Sequence, residues 1–299
     1  MKYGITDIGS NTIRFNIYGS KNGKYKHLIS KKNTAGLISY KKKGKLSKKG
    51  IKVLISTLKK FKKHLKELEV DKTYYFATAC LRNVDNTNEV LDIVKKETGI
   101  KIHVLTSDQE ATLTFEALKD KDLDRNEGVL IDVGGGSSEI TVFENNALLD
   151  DVSLPVGSLL MYEEYVSMMF PNKEEKKAIH KRVVKEIAKS GIEKYDQEIM
   201  FGVGGTVRAI NKMLIHLNLK DDNSPLIPIS LLDTLLDELK TNTKEDFDKV
   251  LQVKAERIHT LIPGLIIIKT IAEYFEVDYM HVTHHSIREG VLHSIIQDK

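Results

Sequence analysis

Residues 129–144 constrain the fold more than any other stretch. Val129 to Val133 form an apolar strand interrupted only by Asp132, Gly134-Gly135-Gly136-Ser137-Ser138-Glu139 turns the chain, and Ile140-Thr141-Val142-Phe143 is a second β-branched run. Three successive glycines permit backbone dihedrals and a close approach that a Cβ forbids. The N–H groups of such a turn can face an anion, so the stretch reads as a phosphate site. In a P-loop or a dinucleotide fingerprint a helix follows the glycines, whereas here a strand does. Both of those nucleotide motifs are excluded.

The N-terminus repeats the pattern. Tyr3 to Ile8 is an apolar strand carrying Asp7, the turn is Gly9-Ser10-Asn11, and Thr12-Ile13-Arg14-Phe15-Asn16-Ile17-Tyr18 alternates as a return strand. Either turn alone would pass as an ordinary β-turn. Together they suggest duplicated halves, each presenting one aspartate, Asp7 or Asp132, followed by small donors suited to phosphate and a hydrated cation.

The remaining chain alternates strands and helices. Residues 21–50 are lysine-rich, with Lys41-Lys42-Lys43-Gly44-Lys45 and Lys48-Lys49 reading as a solvated loop or an anion-attracting rim. Ile51, Leu54, Leu58, Phe61, Leu65 and Leu68 recur at helical spacing, and a strand follows at Thr73 to Ala77. Arg82, in the turn beyond that strand, can grip phosphate in bidentate fashion. Asn88 to Glu97 reads as a helix and Ile102 to Leu105 as a short strand. Ser107 or Asp108 is expected to cap a further helix whose first turn holds Glu110. The charged segment Lys119 to Glu127 marks a domain boundary, giving domains 1–118 and 119–299, with the last helix free to return to the first. Gly204-Gly205-Thr206 lies between a strand and a helix, where N–H groups and the helix dipole can hold an anion. Ile258 to Tyr274 is strongly apolar and interrupted by Pro263-Gly264. His284-His285 reads as a loop, since no further metal ligands stand at suitable spacing.

Composition sets the class. With 299 residues, 41% hydrophobic and 29% charged, the chain can bury two substantial cores. A net charge of +4 suits an anionic substrate but does not argue for nucleic acid. The single cysteine, Cys80, permits no internal disulfide, and neither a signal segment nor a membrane-length apolar run is apparent. A cytoplasmic protein with no membrane partner is expected, and a homodimer is compatible with this reading.

Taken together, Asp7-Ile8-Gly9-Ser10-Asn11-Thr12, Asp132 to Glu139 and Gly202-Val203-Gly204-Gly205-Thr206 resemble the exopolyphosphatase and guanosine pentaphosphate phosphohydrolase family. Ala77-Thr78-Ala79 with Arg82 and Asn86, Gln109-Glu110-Ala111, Leu154 to Ser158, Arg257 with Pro263-Gly264-Leu265, and Arg288-Glu289-Gly290 extend the likeness from residue 3 to about residue 292. The resemblance implies an α/β fold of two ribonuclease-H-like lobes around a central cleft, as in actin, sugar kinases and heat-shock ATPases. It also implies that Glu110 is the catalytic base, that Asp132 and Glu139, with Asp7, organise Mg²⁺, and that Arg14 and Arg82 neutralise charge. Phosphate contacts would come from Gly9, Ser10, Asn11, Thr12, Gly134, Gly135, Gly136, Ser137, Ser138, Gly204, Gly205 and Thr206. The chain departs from the family segment Ser-Gly-x-Glu-Glu-Ala, having Thr106, Ser107 and Gln109 there, and Thr112 where arginine is usual. Longer relatives append helical domains near the point where this chain ends.

The expected activity is Mg²⁺-dependent release of the terminal phosphate of inorganic polyphosphate or the γ-phosphate of guanosine pentaphosphate. A kinase or ATPase of the same superfold and a non-hydrolysing sensor of polyphosphate or alarmones are the alternatives, the second motivated by Gln109 and Thr112.

Overall fold

The computed structural model describes residues 1–21, 24–119, 123, 125–195 and 197–297. In chain order its elements are β1 (Lys2–Ile8), β2 (Thr12–Lys21), β3 (Lys24–Thr34), a 3₁₀ turn (Leu37–Tyr40), β4 (Lys41–Lys42), β5 (Lys45–Leu46), α1 (Lys48–Glu67), β6 (Lys72–Ala77), α2 (Ala79–Arg82), α3 (Thr87–Thr98), β7 (His103–Val104) and α4 (Ser107–Lys119). There follow β8 (Gly128–Val133), β9 (Ser138–Glu144), β10 (Ala147–Leu154), α5 (Ser158–Tyr165), α6 (Lys173–Ser190), β11 (Ile199–Val203) and α7 (Gly204–His216). The chain closes with β12 (Leu226–Pro228), α8 (Ser230–Glu238), α9 (Lys244–Lys254), a 3₁₀ turn (Ala255–Arg257), α10 (Leu261–Phe275), β13 (Tyr279–Val282) and α11 (Ile287–Gln297).

The chain divides into two compact units, one of Met1–Ala117 with Ile287–Lys299 and one of Leu118–Ser286. Unit 1 holds a sheet of order β3-β2-β1-β6-β7, in which β1 and β2 form an antiparallel hairpin and β6 runs parallel to β1. One face of that sheet packs on α1 and α3 through Ile13, Phe15, Leu54, Leu58, Phe61 and Val94. On the other, Tyr3, Ile5, Tyr18 and Phe76 are covered by Ile287, Val291 and Leu292 of α11. Unit 2 repeats the plan with a sheet of order β10-β9-β8-β11-β13-β12, where β8–β9 is the antiparallel hairpin and β11 is parallel to β8. Its core joins Val129, Ile131, Ile140, Met200, Ile210 and the wholly buried Ile267 and Ile271 of α10. Parallel neighbours joined through helices and antiparallel hairpins at one side make this the mixed α/β class read from the sequence.

Two local readings need correction. Residues 24–34 form a strand rather than part of a lysine-rich loop. β3 is an edge strand, almost wholly exposed, so it lacks the apolar alternation that betrays a half-buried strand, and its lysines suit an unpaired edge. Pro263-Gly264 does not break a helix either: α10 begins at Leu261, so Pro263 sits in the first turn, where its missing N–H would have no intrahelical partner. Among the described residues no single helix is long and apolar enough to cross a membrane.

Candidate active site

In unit 1 the candidate side chains Asp7, Arg82 and Glu110 lie at or just beyond the C-terminal ends of β1, β6 and β7. The β1–β2 turn is closed by Gly9 N–H donating to Thr12 O at 3.1 Å. It is braced from outside, where Gly36 N–H donates to Asn11 O and Ile38 N–H to Ser10 O. Asp7 stands opposite Arg14 across the hairpin, and its Oδ2 accepts from Arg288 Nη1 at 2.9 Å. Burial pushes the Asp7 carboxyl above its usual range, against the opposing pull of Arg288 and then Arg14. The same end of α11 is tied down by the Tyr18 hydroxyl, which donates to Glu289 and accepts from Asn16 Nδ2.

Glu110 lies in the first turn of α4. Its Oε2 accepts from Arg82 Nη1 at 2.7 Å, and the same nitrogen donates to Leu105 O at 3.2 Å, so the guanidinium is oriented by β7's exit as well as by the carboxylate. Both side chains are mostly buried, at 16% and 13% exposure. The helix cap is Thr106 rather than Ser107 or Asp108: Gln109 N–H donates to Thr106 Oγ1 at 3.2 Å and Thr106 N–H donates to Gln109 Oε1 at 3.0 Å. This reciprocal capping box explains what Gln109 does, because glutamine serves that role as glutamate would. Thr112 is exposed, two residues beyond Glu110. Cys80, whose Sγ donates to Ile8 O, is pushed up by burial and then by the charge of Asp7. It is a thiol, not a nucleophile.

In unit 2 the register of β8 against β9 sets Asp132 directly opposite Glu139. Ser137 Oγ and Ser153 Oγ both donate to Glu139 Oε1, at 2.7 and 3.0 Å, fixing the carboxylate's orientation. The glycine turn leans on the start of α5. Ser158 N–H and Oγ donate to Gly134 O, and Leu159 and Leu160 N–H donate to Gly135 O. A trans peptide points its N–H opposite to its C=O. The amides of Gly135 and Gly136 therefore turn away from α5, the orientation an anion-binding turn needs. Gly157 makes the packing feasible, since a Cβ there would overlap Gly135 and the Gly136 amide.

On its other side β8 pairs with β11, and Asp132 is in register with Val203. Gly204 then starts α7 with φ +90°, and a Cβ on it would overlap Asp132 Oδ1. Gly-Gly-Thr is thus the first turn of the helix itself. Thr206 Oγ1 donates inward to Val133 O at 2.7 Å and accepts from Arg257 Nη1 at 3.1 Å. The wholly buried Ser138 hydroxyl likewise donates to Val156 O. Ser138 and Thr206 act on the backbone of the turns.

Within unit 2, then, Asp132, Glu139, the Gly134–Gly136 turn and the start of α7 come together. Within unit 1, Asp7 and Arg14 share the hairpin, and Arg82 joins Glu110. Arg257 and Arg288 stand in the motifs that carried the family likeness, yet their roles depend on contacts 51 and 281 residues away in sequence. The Ser153 contribution likewise depends on β9–β10 register.

A profile of the Ppx/GppA phosphatase family matches residues 16–299. The chain belongs to that family. A guanosine-5'-triphosphate,3'-diphosphate pyrophosphatase of Pseudoalteromonas translucida is 26% identical over 244 residues, covering 80% of this chain and 48% of that protein. A bifunctional 3-dehydroquinate synthase/phosphatase of Fusobacterium nucleatum is 28% identical over 234 residues, covering 75% of this chain and 35% of that protein. The chain thus spans about half or less of the curated relatives it matches. The Aquifex aeolicus member of the Ppx/GppA family is 27% identical with a TM-score of 0.78, covering 100% of this chain and 98% of that one. An exopolyphosphatase from Cytophaga hutchinsonii, 21% identical and covering 100% and 98% of the two chains, shares the fold at a TM-score of 0.86. The two-unit α/β architecture is therefore that of the Ppx/GppA family.

Proposed function

We propose that this chain is a metal-dependent phosphohydrolase that removes the terminal phosphate of inorganic polyphosphate, or the γ-phosphate of guanosine pentaphosphate, by attack of water. The observation that carries the reading is the 2.7 Å Arg82–Glu110 pair, which holds a carboxylate in one orientation beside a guanidinium. Glu110 accepts the proton of the attacking water. The water oxygen bonds to the terminal phosphorus while the anhydride P–O bond breaks, and the departing phosphate oxygen keeps the electron pair. Within unit 1, Arg82 and Arg14 are suited to offsetting phosphate charge, and within unit 2 the amides of Gly135, Gly136 and the start of α7 are suited to binding phosphate oxygens. The family membership and the names of its relatives supply the substrate class, and the exposed lysines of β4 and β5 favour the long polyanion.

Asp132 and Glu139 suit a hard cation: both are oxygen donors, adjacent in register, with Glu139 held by two hydroxyls. Among the described residues no group of three or more His, Cys, Asp or Glu forms a fuller cage. This fits Mg²⁺, which takes one or two carboxylates and leaves other positions to water and phosphate. Bound there, it would neutralise phosphate charge. Asp7, the third carboxylate expected at the metal, is paired with Arg288 at 2.9 Å.

Phosphate release should be measured from polyphosphate, guanosine pentaphosphate and ATP, with Mg²⁺ and with a chelator, for the wild type and Glu139→Gln. The expected result is Mg²⁺-dependent release from one or both of the first two, with a weakened Mg²⁺ response in Glu139→Gln. Tight binding without release under any divalent ion would replace the hydrolase by a sensor. Turnover of ATP alone would make the chain an ATPase.

A further inference from the structure

Unit 1 contains a second concave region that the proposed hydrolysis does not use. It is a cavity of about 540 Å³ where the end of α1, the start of β6 and the link between α3 and β7 meet. That volume lies in the range of about 300–1,000 Å³ typical of small-molecule sites. β7 pairs only with Phe76 and Ala77 of β6, so the Thr73–Tyr75 edge lines the cavity instead of a neighbouring strand. An unpaired strand edge offers main-chain donors and acceptors in a row.

The lining is both aromatic and cationic. Tyr74 and His103 both line the cavity and stack with ring centroids 4.5 Å apart and planes within 15°, so that one ring backs the other in the wall. Burial, and then the charge of Lys101, keep the His103 imidazole below its usual pKa, so that wall is uncharged at neutral pH. Three lysines, Lys62, Lys66 and Lys101, line the cavity, and among the described residues no carboxylate does. Lys62 is held in place by donating to Thr98 O at 2.7 Å. Val70 contributes to an apolar floor.

A bare polyanion has no use for a stacked aromatic wall or an apolar floor, and a neutral aromatic has none for three ammonium groups. We propose that this cavity binds a purine nucleotide, its base against the Tyr74–His103 wall and the edge of β6, and its phosphates on Lys62, Lys66 and Lys101. An aromatic face holds a base by stacking, and ammonium–phosphate pairs add charge-assisted hydrogen bonds. The site is distinct from Glu110 and Arg82, which lie beyond the other end of β6.

The test is calorimetric titration of the whole chain with ATP and with GTP, in the presence of a chelator so that no phosphate is released during the titration. Saturable nucleotide binding should persist under these conditions, and Tyr74→Leu and the double variant Lys66→Glu, Lys101→Glu should each weaken it at least 10-fold. Glu110→Gln should leave it unchanged. Hydrogen exchange on the wild type gives a readout independent of any variant, and the nucleotide should slow exchange at 73–75 and 99–103. Absence of saturable nucleotide binding, or binding that is unaltered in the cavity variants and protects other segments, would overturn the proposal.

Discussion

The two β-hairpins carry the same strand, aspartate, glycine-bearing turn and return strand, yet they treat their carboxylates differently. In unit 1 both Asp7 and Glu110 accept from arginines, Arg288 at 2.9 Å and Arg82 at 2.7 Å. In unit 2 Glu139 accepts from two serine hydroxyls and faces a second carboxylate, Asp132, across the ladder. A guanidinium both orients a carboxylate and adds a compensating charge, whereas a hydroxyl donor orients it without adding charge. One fold plan, used twice, thus yields two hairpins whose carboxylates are held by different kinds of group. The duplication lies in the backbone and the division of labour lies in the partners.

The sharpest way to break this contrast is Glu110→Gln. The amide keeps the size and the helix position but cannot take a proton, so kcat should fall about 10²–10⁴-fold with KM little changed. Comparable turnover in steady-state phosphate release would leave Glu110 as a partner of Arg82 and of the helix dipole only. Next in size is Arg288→Ala, which strips a mostly buried carboxylate of its partner. Because 18% of the Asp7 side chain is exposed, the loss in urea denaturation should fall at the lower end of about 3–5 kcal/mol. A loss under about 1 kcal/mol would mean that Asp7 does not need its guanidinium.

Ser153→Ala probes the other hairpin by removing one of the two hydroxyl donors to Glu139. Half-maximal turnover should then require about 10-fold more Mg²⁺, the lower end of what outer-shell partners contribute, with stability hardly altered. An unchanged metal titration would count against a metal at Asp132 and Glu139. The smallest expected effect is that of Gln109→Glu. Since either residue closes the capping box on Thr106, thermal stability should move by no more than about 0.5 kcal/mol and turnover by less than about threefold. A large gain in turnover would show that Gln109 tunes the reaction rather than the helix start.

Much of this fold is legible in the sequence because its elements are half-buried. β8 and β9 announce themselves by β-branched runs on either side of the glycines, and α1 by leucines at helical spacing. β3 is not legible, because an exposed edge strand has no buried face to imprint a period of two. The span of α10 is obscured for the opposite reason: it is buried nearly all round, so Pro263 looks like a break until the helix start at Leu261 is known. The contrast between the hairpins is also hidden from local reading. Arg288 reaches Asp7 from 281 positions away, and Ser153 reaches Glu139 only through the pairing of β9 with β10. A motif can display a carboxylate, but the group that sets its character arrives from elsewhere in the chain.

The return of α11 to the sheet of unit 1 has a consequence for biosynthesis. Unit 2 is continuous in sequence, whereas unit 1 is assembled from segments on either side of it. Tyr3, Ile5, Tyr18 and Phe76 are made early, but the Ile287, Val291 and Leu292 that cover them emerge only after all of unit 2. At about 5–20 residues per second, that interval is on the order of ten seconds. During it the nascent sheet presents a greasy face that α11 has yet to cover, which makes this face the natural target for a chaperone that holds apolar surfaces during translation.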